Sequence, residues 1–194
     1  MIELIYRKAN KEDIIQIANI VTKLLGTCNL NESKSINQNN IDEISKTIDL
    51  YNVCEFDGKI IGACGISNIK STDDYNLGLF QIKEILYLVV DKDYQEKGIG
   101  TKLLKLCCNN VKNDIIYEAW GDNGKYVNSK FMLEKCGFEL YKDLGLTYYK
   151  DLNYCDMCVN KDKICNSCLA QIWIKKPNIL WNISEISSSC YMQD

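Results

Sequence analysis

The residues predict a mixed α/β domain with a β-hairpin at its centre, followed by a small cysteine-rich C-terminal appendage. Three observations carry this. The apolar periodicities give the order β-α-α-β-β-β-α-β-α-β-β over residues 1 to about 152, which is not the regular βαβ alternation of a doubly wound sheet. Asp57-Gly58 joins two β-type runs, "NVCEF" and "KIIGACGIS", and Asp-Gly between such runs is the strongest short hairpin signal. From Asn153 onward the chain turns cysteine-dense and weakly periodic.

The elements follow in order. "IELIYRK" reads as a first strand, and Asn10 is placed to cap the helix after it. Ile14, Ile17, Ala18, Val21 and Leu25 then share one helical face, and Gly26 suits a C-terminal stop. "TCNLNESKSINQNN" is polar and reads as a loop, and "IDEISKTIDLY" as a second short helix. After the hairpin and a polar stretch around "KSTDDYN", "LFQIKEILYLVV" is the most strand-like segment of the chain. A helix follows in "GTKLLKLCCNNVK", where Gly100, Leu103, Leu104, Cys107 and Val111 recur at helical spacing. "DIIYEAW" is a strand, "GKYVNSKFMLEKC" a helix closed by Gly137, and "FELYKD" and "LTYYKDL" two closing strands. No internal repeat is present. The predicted units are residues 1–152 and an appendage over 153–194.

Composition removes several classes of function. With 46% apolar and 25% charged residues, the 194-residue chain has the make-up of a soluble globular protein. A net charge of −3 leaves no basic footprint for nucleic acid. No apolar run approaches the ~18 residues of a membrane span, and the N-terminus lacks a signal-peptide core, so a cytoplasmic protein is expected. The chain has no histidine, which excludes Ser-His-Asp and Cys-His catalysis. Its 11 cysteines are an odd number without a secretion signal, so clustered thiols are read first as metal ligands and not as a disulfide framework.

"DYQEKGIGTKLL", residues 93–104, lies between the apolar strand and the helix. A G-x-x-x-x-G-K-[ST] loop does not fit, and a dinucleotide G-x-G-x-x-G fails at Leu103. Gln95, Gly98 and Gly100 do fit Q-x-x-G-x-G. Small residues there let backbone N–H groups crowd an anion, and the helix start adds its positive dipole end. A tight strand-to-helix turn without a ligand is the competing explanation of the glycine pair. Downstream, "NSKFMLEKCGFELY" carries Ser129, Leu133, Gly137 and Phe138 in a helix-then-Gly-Phe element.

On these two motifs, in this order and separated by a strand, residues 1 to about 152 resemble the GNAT superfamily of N-acetyltransferases. The resemblance implies a mixed, mostly antiparallel central sheet flanked by helices, with acetyl-CoA as co-substrate. It implies that Leu88, Val89 and Val90 bind the pantetheine arm through their backbone, with the Val89 N–H as oxyanion donor. The N–H groups of Gln95, Glu96, Lys97, Gly98, Ile99, Gly100 and Thr101 would hold the pyrophosphate. Lys97 supplies a charge of suitable sign, and the Glu96 side chain should point to solvent. Ser129 would sit near the thiol end.

Acetyl transfer to an amine needs a base for the ammonium, a cradle for the oxyanion and a proton for the departing thiolate. Glu84 is the candidate base. It stands among apolar neighbours in "KEILYLVV", at the distance from Gln95 seen in histone-type members of the family, and desolvation there would raise its pKa. An edge or surface position is the bland alternative. Many family members carry a tyrosine where this sequence has Leu133. Tyr126, earlier on the same helix, is the candidate acid, against a water or unassisted departure of the thiolate.

Cys155, Cys158, Cys165 and Cys168 form C-x2-C-x6-C-x2-C, the spacing of a structural four-cysteine zinc site with a short central loop. Free thiols, redox use and an iron–sulfur cluster are the other readings. The other seven cysteines read as small core residues. The expected function is acetyl-CoA-dependent N-acetylation of a primary amine, on a small molecule or a protein, within a ternary complex. The rival is a non-catalytic acyl-CoA-binding or zinc-tail interaction protein on the same fold.

Overall fold

A computed structural model describes residues 3–26, 35–68, 82–121, 125–146, 148 and 168–177. β1 is Ile5–Lys8, α1 Ile14–Leu24, α2 Ile36–Thr47, β2 Tyr51–Phe56, β3 Lys59–Asn68 and β4 Lys83–Val90. They are followed by α3 Ile99–Cys108, β5 Ile115–Gly121, α4 Lys130–Lys135, β6 Glu139–Gly145 and β7 Leu169–Lys175. Among the described residues the strands form one seven-stranded sheet in the order β1-β2-β3-β4-β5-β7-β6, antiparallel throughout except between β4 and β5. This is the mixed, mostly antiparallel sheet expected.

Local chemistry sets most boundaries. Asn10 takes the backbone N–H of Glu12 while Asp13 takes that of Asn10, closing a capping box before α1. Asp13 is also gripped by Arg7, with Nη1 2.7 Å from Oδ2, and Arg7 pairs with Glu55 at the same distance. This ties the α1 start to β1 and β2. The Asp57-Gly58 hairpin forms with both residues at positive φ, 51° and 71°, as a primed turn requires.

The helices divide between the two faces. α1 and α2 cover one, where Ile17, Val21, Ile44, Val53, Ile60 and Val89 form a buried cluster. α3 and α4 cover the other, over Ile61, Ile85, Leu103, Leu104, Leu133 and Trp173.

Three expectations change. The helix read from Gly124 onward begins only at Lys130, after its N-cap Ser129, so Tyr126 precedes α4 and does not lie on it. α2 begins at Ile36, inside the stretch read as a loop, because the Ser35 hydroxyl accepts the N–H of Gln38 and caps it there. More consequential is the partner of β6. The strand expected from "LTYYKDL" falls on residues 146–152, nearly all outside the described residues. The strand that does pair with β6 is Leu169–Lys175, assigned from sequence to the appendage. It runs between β5 and β6, antiparallel to both, from Gly121↔Leu169 to Ile115↔Lys175. Ala170, Ile172, Trp173 and Ile174 are buried there. The expected boundary at 152/153 therefore cuts through the sheet, and the cysteine-rich run lies between two of its strands.

Candidate active site at the β4–β5 fork

β4 and β5 are the parallel pair, and their ladder has two rungs, Lys83↔Ile115 and Glu84↔Ile116. Beyond those rungs the strands part. The β4 edge from Ile85 to Val90 thus faces a gap and not a neighbouring strand, which is the geometry that accepts an extended ligand by backbone pairing. Leu88, Val89 and Val90 lie on this stretch. On its other side β4 pairs with β3 through a register shift between Cys64 and Ile66, so residues 85–88 oppose 64–66. The extra residue is a bulge at Leu86-Tyr87. The Tyr87 hydroxyl reaches α2 and donates to Glu43 at 3.0 Å.

Glu84 sits at the vertex of the fork. It pairs with Ser67 on one side and Ile116 on the other, so its side chain lies on the α1–α2 face. Glu118 follows Ile116 on that face of β5. Burial, and then repulsion from Glu118, push the Glu84 carboxyl up to about 7.

The opposite face carries Tyr117, the first β5 residue past the last rung. It packs against the cluster that also holds Leu88 and Val90. Burial raises its phenol above the ordinary value, and electrostatic influence from Cys64 adds to this. A hydrogen bond with the Ser129 side chain acts the other way. Ser129 stands at the N-terminus of α4 without capping it, so its hydroxyl serves Tyr117 instead. Sequence reading overlooked Tyr117. The available signal was a tyrosine at an inward position of "DIIYEAW", two residues from the next inward residue, Ala119.

At the C-terminal end of β4 the chain makes a short 3-10 turn, Lys92–Tyr94, and then the glycine loop. Glu96 and Gly98 take positive φ, 62° and 78°. A Cβ at Gly98 would meet nothing within 4 Å, so that side of the loop is open. Gly100 is tighter, with its Cβ position 3.3 Å from Met132 Sδ and 3.6 Å from Val90 Cγ2, which lets α3 approach β4 and α4. The first-turn N–H groups of Ile99, Gly100 and Thr101 have no carbonyl inside the helix to bind, and they start at the mouth of the gap. The Gln95 N–H is engaged in the turn, 3.4 Å from the Lys92 carbonyl. The Gln95 side chain braces Val90 O at 2.8 Å. Lys97 folds back onto Asp93 O at 2.8 Å and over the Tyr94 ring. Glu96 is exposed, as expected.

Leu133 is fully buried in the α3–α4 core. Tyr126 is 41% exposed, its ring centroid 5.9 Å from that of Phe131. It lines a groove of about 390 Å³ together with Lys130, Phe138 and Trp173, residues of the α3–α4 face, so the fold does not bring it beside Glu84. Of the four candidate zinc ligands, Cys168 is described and precedes β7 directly, whereas Cys155, Cys158 and Cys165 lie outside the described residues. Among the described residues no three Cys, Asp or Glu side chains converge as a metal site, and no helix is long and apolar enough to cross a membrane. Cys54, Cys64, Cys107, Cys108 and Cys136 are free thiols.

Comparison with known proteins places this geometry in context. Residues 47–140, from the end of α2 into β6, match the profile of the Acetyltransferase (GNAT) domain. No curated protein sequence matches the chain. Among solved structures, N-acetylglutamate synthase from Neisseria gonorrhoeae, complexed with coenzyme A and N-acetyl-glutamate, superposes with a TM-score of 0.55 at 17% identity, over 90% of this chain. The chain spans about a third of that synthase, 35%. PH1933 from Pyrococcus horikoshii OT3 gives 0.60 at 21% identity, over 91% of this chain and 100% of its own. The loading GNATL domain of CurA from Lyngbya majuscula gives 0.62 at 14%, over 90% and 98%. At these identities the likeness is one of fold. The profile match adds a resemblance in sequence over residues 47–140, just under half of the chain.

Proposed function

We propose that this protein transfers the acetyl group of acetyl-CoA to a primary amine by direct attack in a ternary complex. The observation that carries the reading is the half-buried Glu84 carboxyl at the vertex of a fork whose open β4 edge leads to a glycine loop and a helix N-terminus. The pantetheine arm pairs with Leu88–Val90. The pyrophosphate meets the N–H groups from Glu96 to Thr101, with those of Ile99, Gly100 and Thr101 the best placed. An amine arriving on the α1–α2 face meets Glu84 as its base. A carboxyl with a pKa of about 7 is half ionised near neutral pH, where a general base is most effective. The acceptor is a small molecule or a protein amino group, and the acidic balance of the chain leans towards a cationic one.

Isothermal titration with acetyl-CoA, paired with a thiol-release assay over an amine panel, tests this. The expected outcome is saturable binding with turnover on at least one amine. The second reading, an acyl-CoA-binding protein without catalysis, draws on Leu133 standing where many family members have a tyrosine. Tight binding with no turnover, unchanged by Glu84→Gln, would favour it; absence of binding to any CoA thioester would remove both.

For the cysteine run we keep structural zinc, held by Cys155, Cys158, Cys165 and Cys168, as the working assignment. Four thiolates close a tetrahedral shell and leave no open position for catalysis. Metal analysis of protein purified without added zinc should give one equivalent per chain; a value well below that removes the metal.

A further inference from the structure

The acyl-transfer reading gives the amine a base and leaves the thiolate without a proton donor. The usual position is occupied by Leu133, buried and apolar. Tyr117 meets the geometric requirements from a different element. It is the first β5 residue past the Glu84↔Ile116 rung, so it stands where the fork opens. Its side chain lies on the sheet face opposite Glu84 and packs against the same buried cluster as Leu88 and Val90, residues of the stretch read as the pantetheine track. Its phenol is within electrostatic reach of Cys64, which is on β3 across from Leu88. At the same time the phenol bonds Ser129 on α4.

Resting on the acyl-transfer reading, we propose that Tyr117 is a catalytic residue that gives its phenolic proton to the sulfur leaving with CoA, with Ser129 as its positioning residue. Attack of the neutral amine forms the C–N bond. Glu84 takes a proton from that nitrogen, and collapse of the oxyanion breaks the C–S bond with the electron pair going to sulfur. Tyr117 protonates the sulfur and recovers a proton from solvent through Ser129, while Glu84 returns its proton to solvent. The net products are amide and CoA thiol. Burial disfavours thiolate and phenolate alike, so the proton passes between two groups raised by the same cause. Base and acid thus act from opposite faces of the sheet, with the thioester between them.

Tyr117→Phe and Ser129→Ala are compared with the parent chain by two measurements. One is kcat and KM for acetyl transfer to the best amine. The other is the thiol pKa of bound CoA, followed by ultraviolet thiolate absorbance, which needs no turnover. Tyr117→Phe should lower kcat about 100-fold, a common size for loss of a general acid, with KM for acetyl-CoA within about twofold. The pKa of the bound thiol should rise, because its hydrogen-bond donor is gone. Ser129→Ala should show the same pattern at smaller size. A Tyr117→Phe chain that binds CoA with an unchanged thiol pKa and an unchanged kcat overturns this proposal alone. A parent chain that binds no CoA overturns the acyl-transfer reading and this proposal together.

Discussion

Glu84 costs the protein stability in the form in which it would work. Its carboxyl is pushed from 4.5 to about 7 in the folded chain. A raised carboxyl contributes stability that is fully present below its unfolded value and is lost as pH climbs through the folded one. The window is therefore about pH 4.5 to 7, and the charged folded state is penalised above it. With allowance for the screening of a half-buried group, the penalty is on the order of 2 kcal/mol. Glu84→Gln should match the parent melting temperature near pH 4.5 and exceed it by roughly 5 °C at pH 8. The same variant should lose acetyl transfer by about 100-fold or more. In the parent, kcat/KM should rise with pH through a step near 7 that the variant lacks. Equal melting temperatures at pH 8, or a step retained in Glu84→Gln, would remove the carboxyl from this role. The environment of Glu84 was half legible in the sequence. Its apolar neighbours announced desolvation, but Glu118, 34 positions away, entered only when β4 and β5 paired.

At the scale of elements, the fork depends on how β5 hands the chain to α4. A Cβ built at Gly121 would lie 2.3 Å from Tyr126 O and 2.9 Å from Val127 Cα, both backbone atoms. Val127 is fully buried, and the Asn128 N–H bonds Trp120 O at 3.0 Å, so neither side can yield cheaply. Gly121→Ala should cost roughly 2–3 kcal/mol, read as a fall of about 5–10 °C in melting temperature. A change below about 1 °C would mean the connection relaxes freely. Most elements were legible because their signals are local: the Asn10 cap, the Asp57-Gly58 turn, and Gly98 and Gly137, both at positive φ. The start of α2 was not, because the polar run Ile36–Asn40 carries no apolar periodicity. Asn39 and Asn40 are buried there, and Asn40 Nδ2 is held by Gly26 O at 2.7 Å, a contact across 14 residues.

For the molecule as a whole, β7 decides what the folding unit is. A chain ending at Leu152, the boundary expected from composition, would strip β5 and β6 of their shared partner. It would also remove five buried apolar side chains, Leu169, Ala170, Ile172, Trp173 and Ile174. At about 1.5–3 kcal/mol for each large one, that loss is comparable with the 5–15 kcal/mol stability of an ordinary domain. The truncated chain should fail to unfold cooperatively in a circular-dichroism melt, and a sharp, parent-like transition would show that β7 is dispensable. "LAQIWIK" carried a strand signal of its own, with β-branched and aromatic residues and a proline two positions beyond Lys175. It was masked by the compositional break at Asn153, which marks an insertion between strands and not the end of the sheet. By itself the sequence determined the fold class, the hairpin, the glycine loop and the apolar neighbours of Glu84. Each of these is written in contacts between residues close along the chain. Tertiary structure alone decided that β7 closes the sheet, that Glu118 faces Glu84 and that Tyr117 meets Ser129. These depend on strand register, which brings distant residues together and which no local pattern encodes.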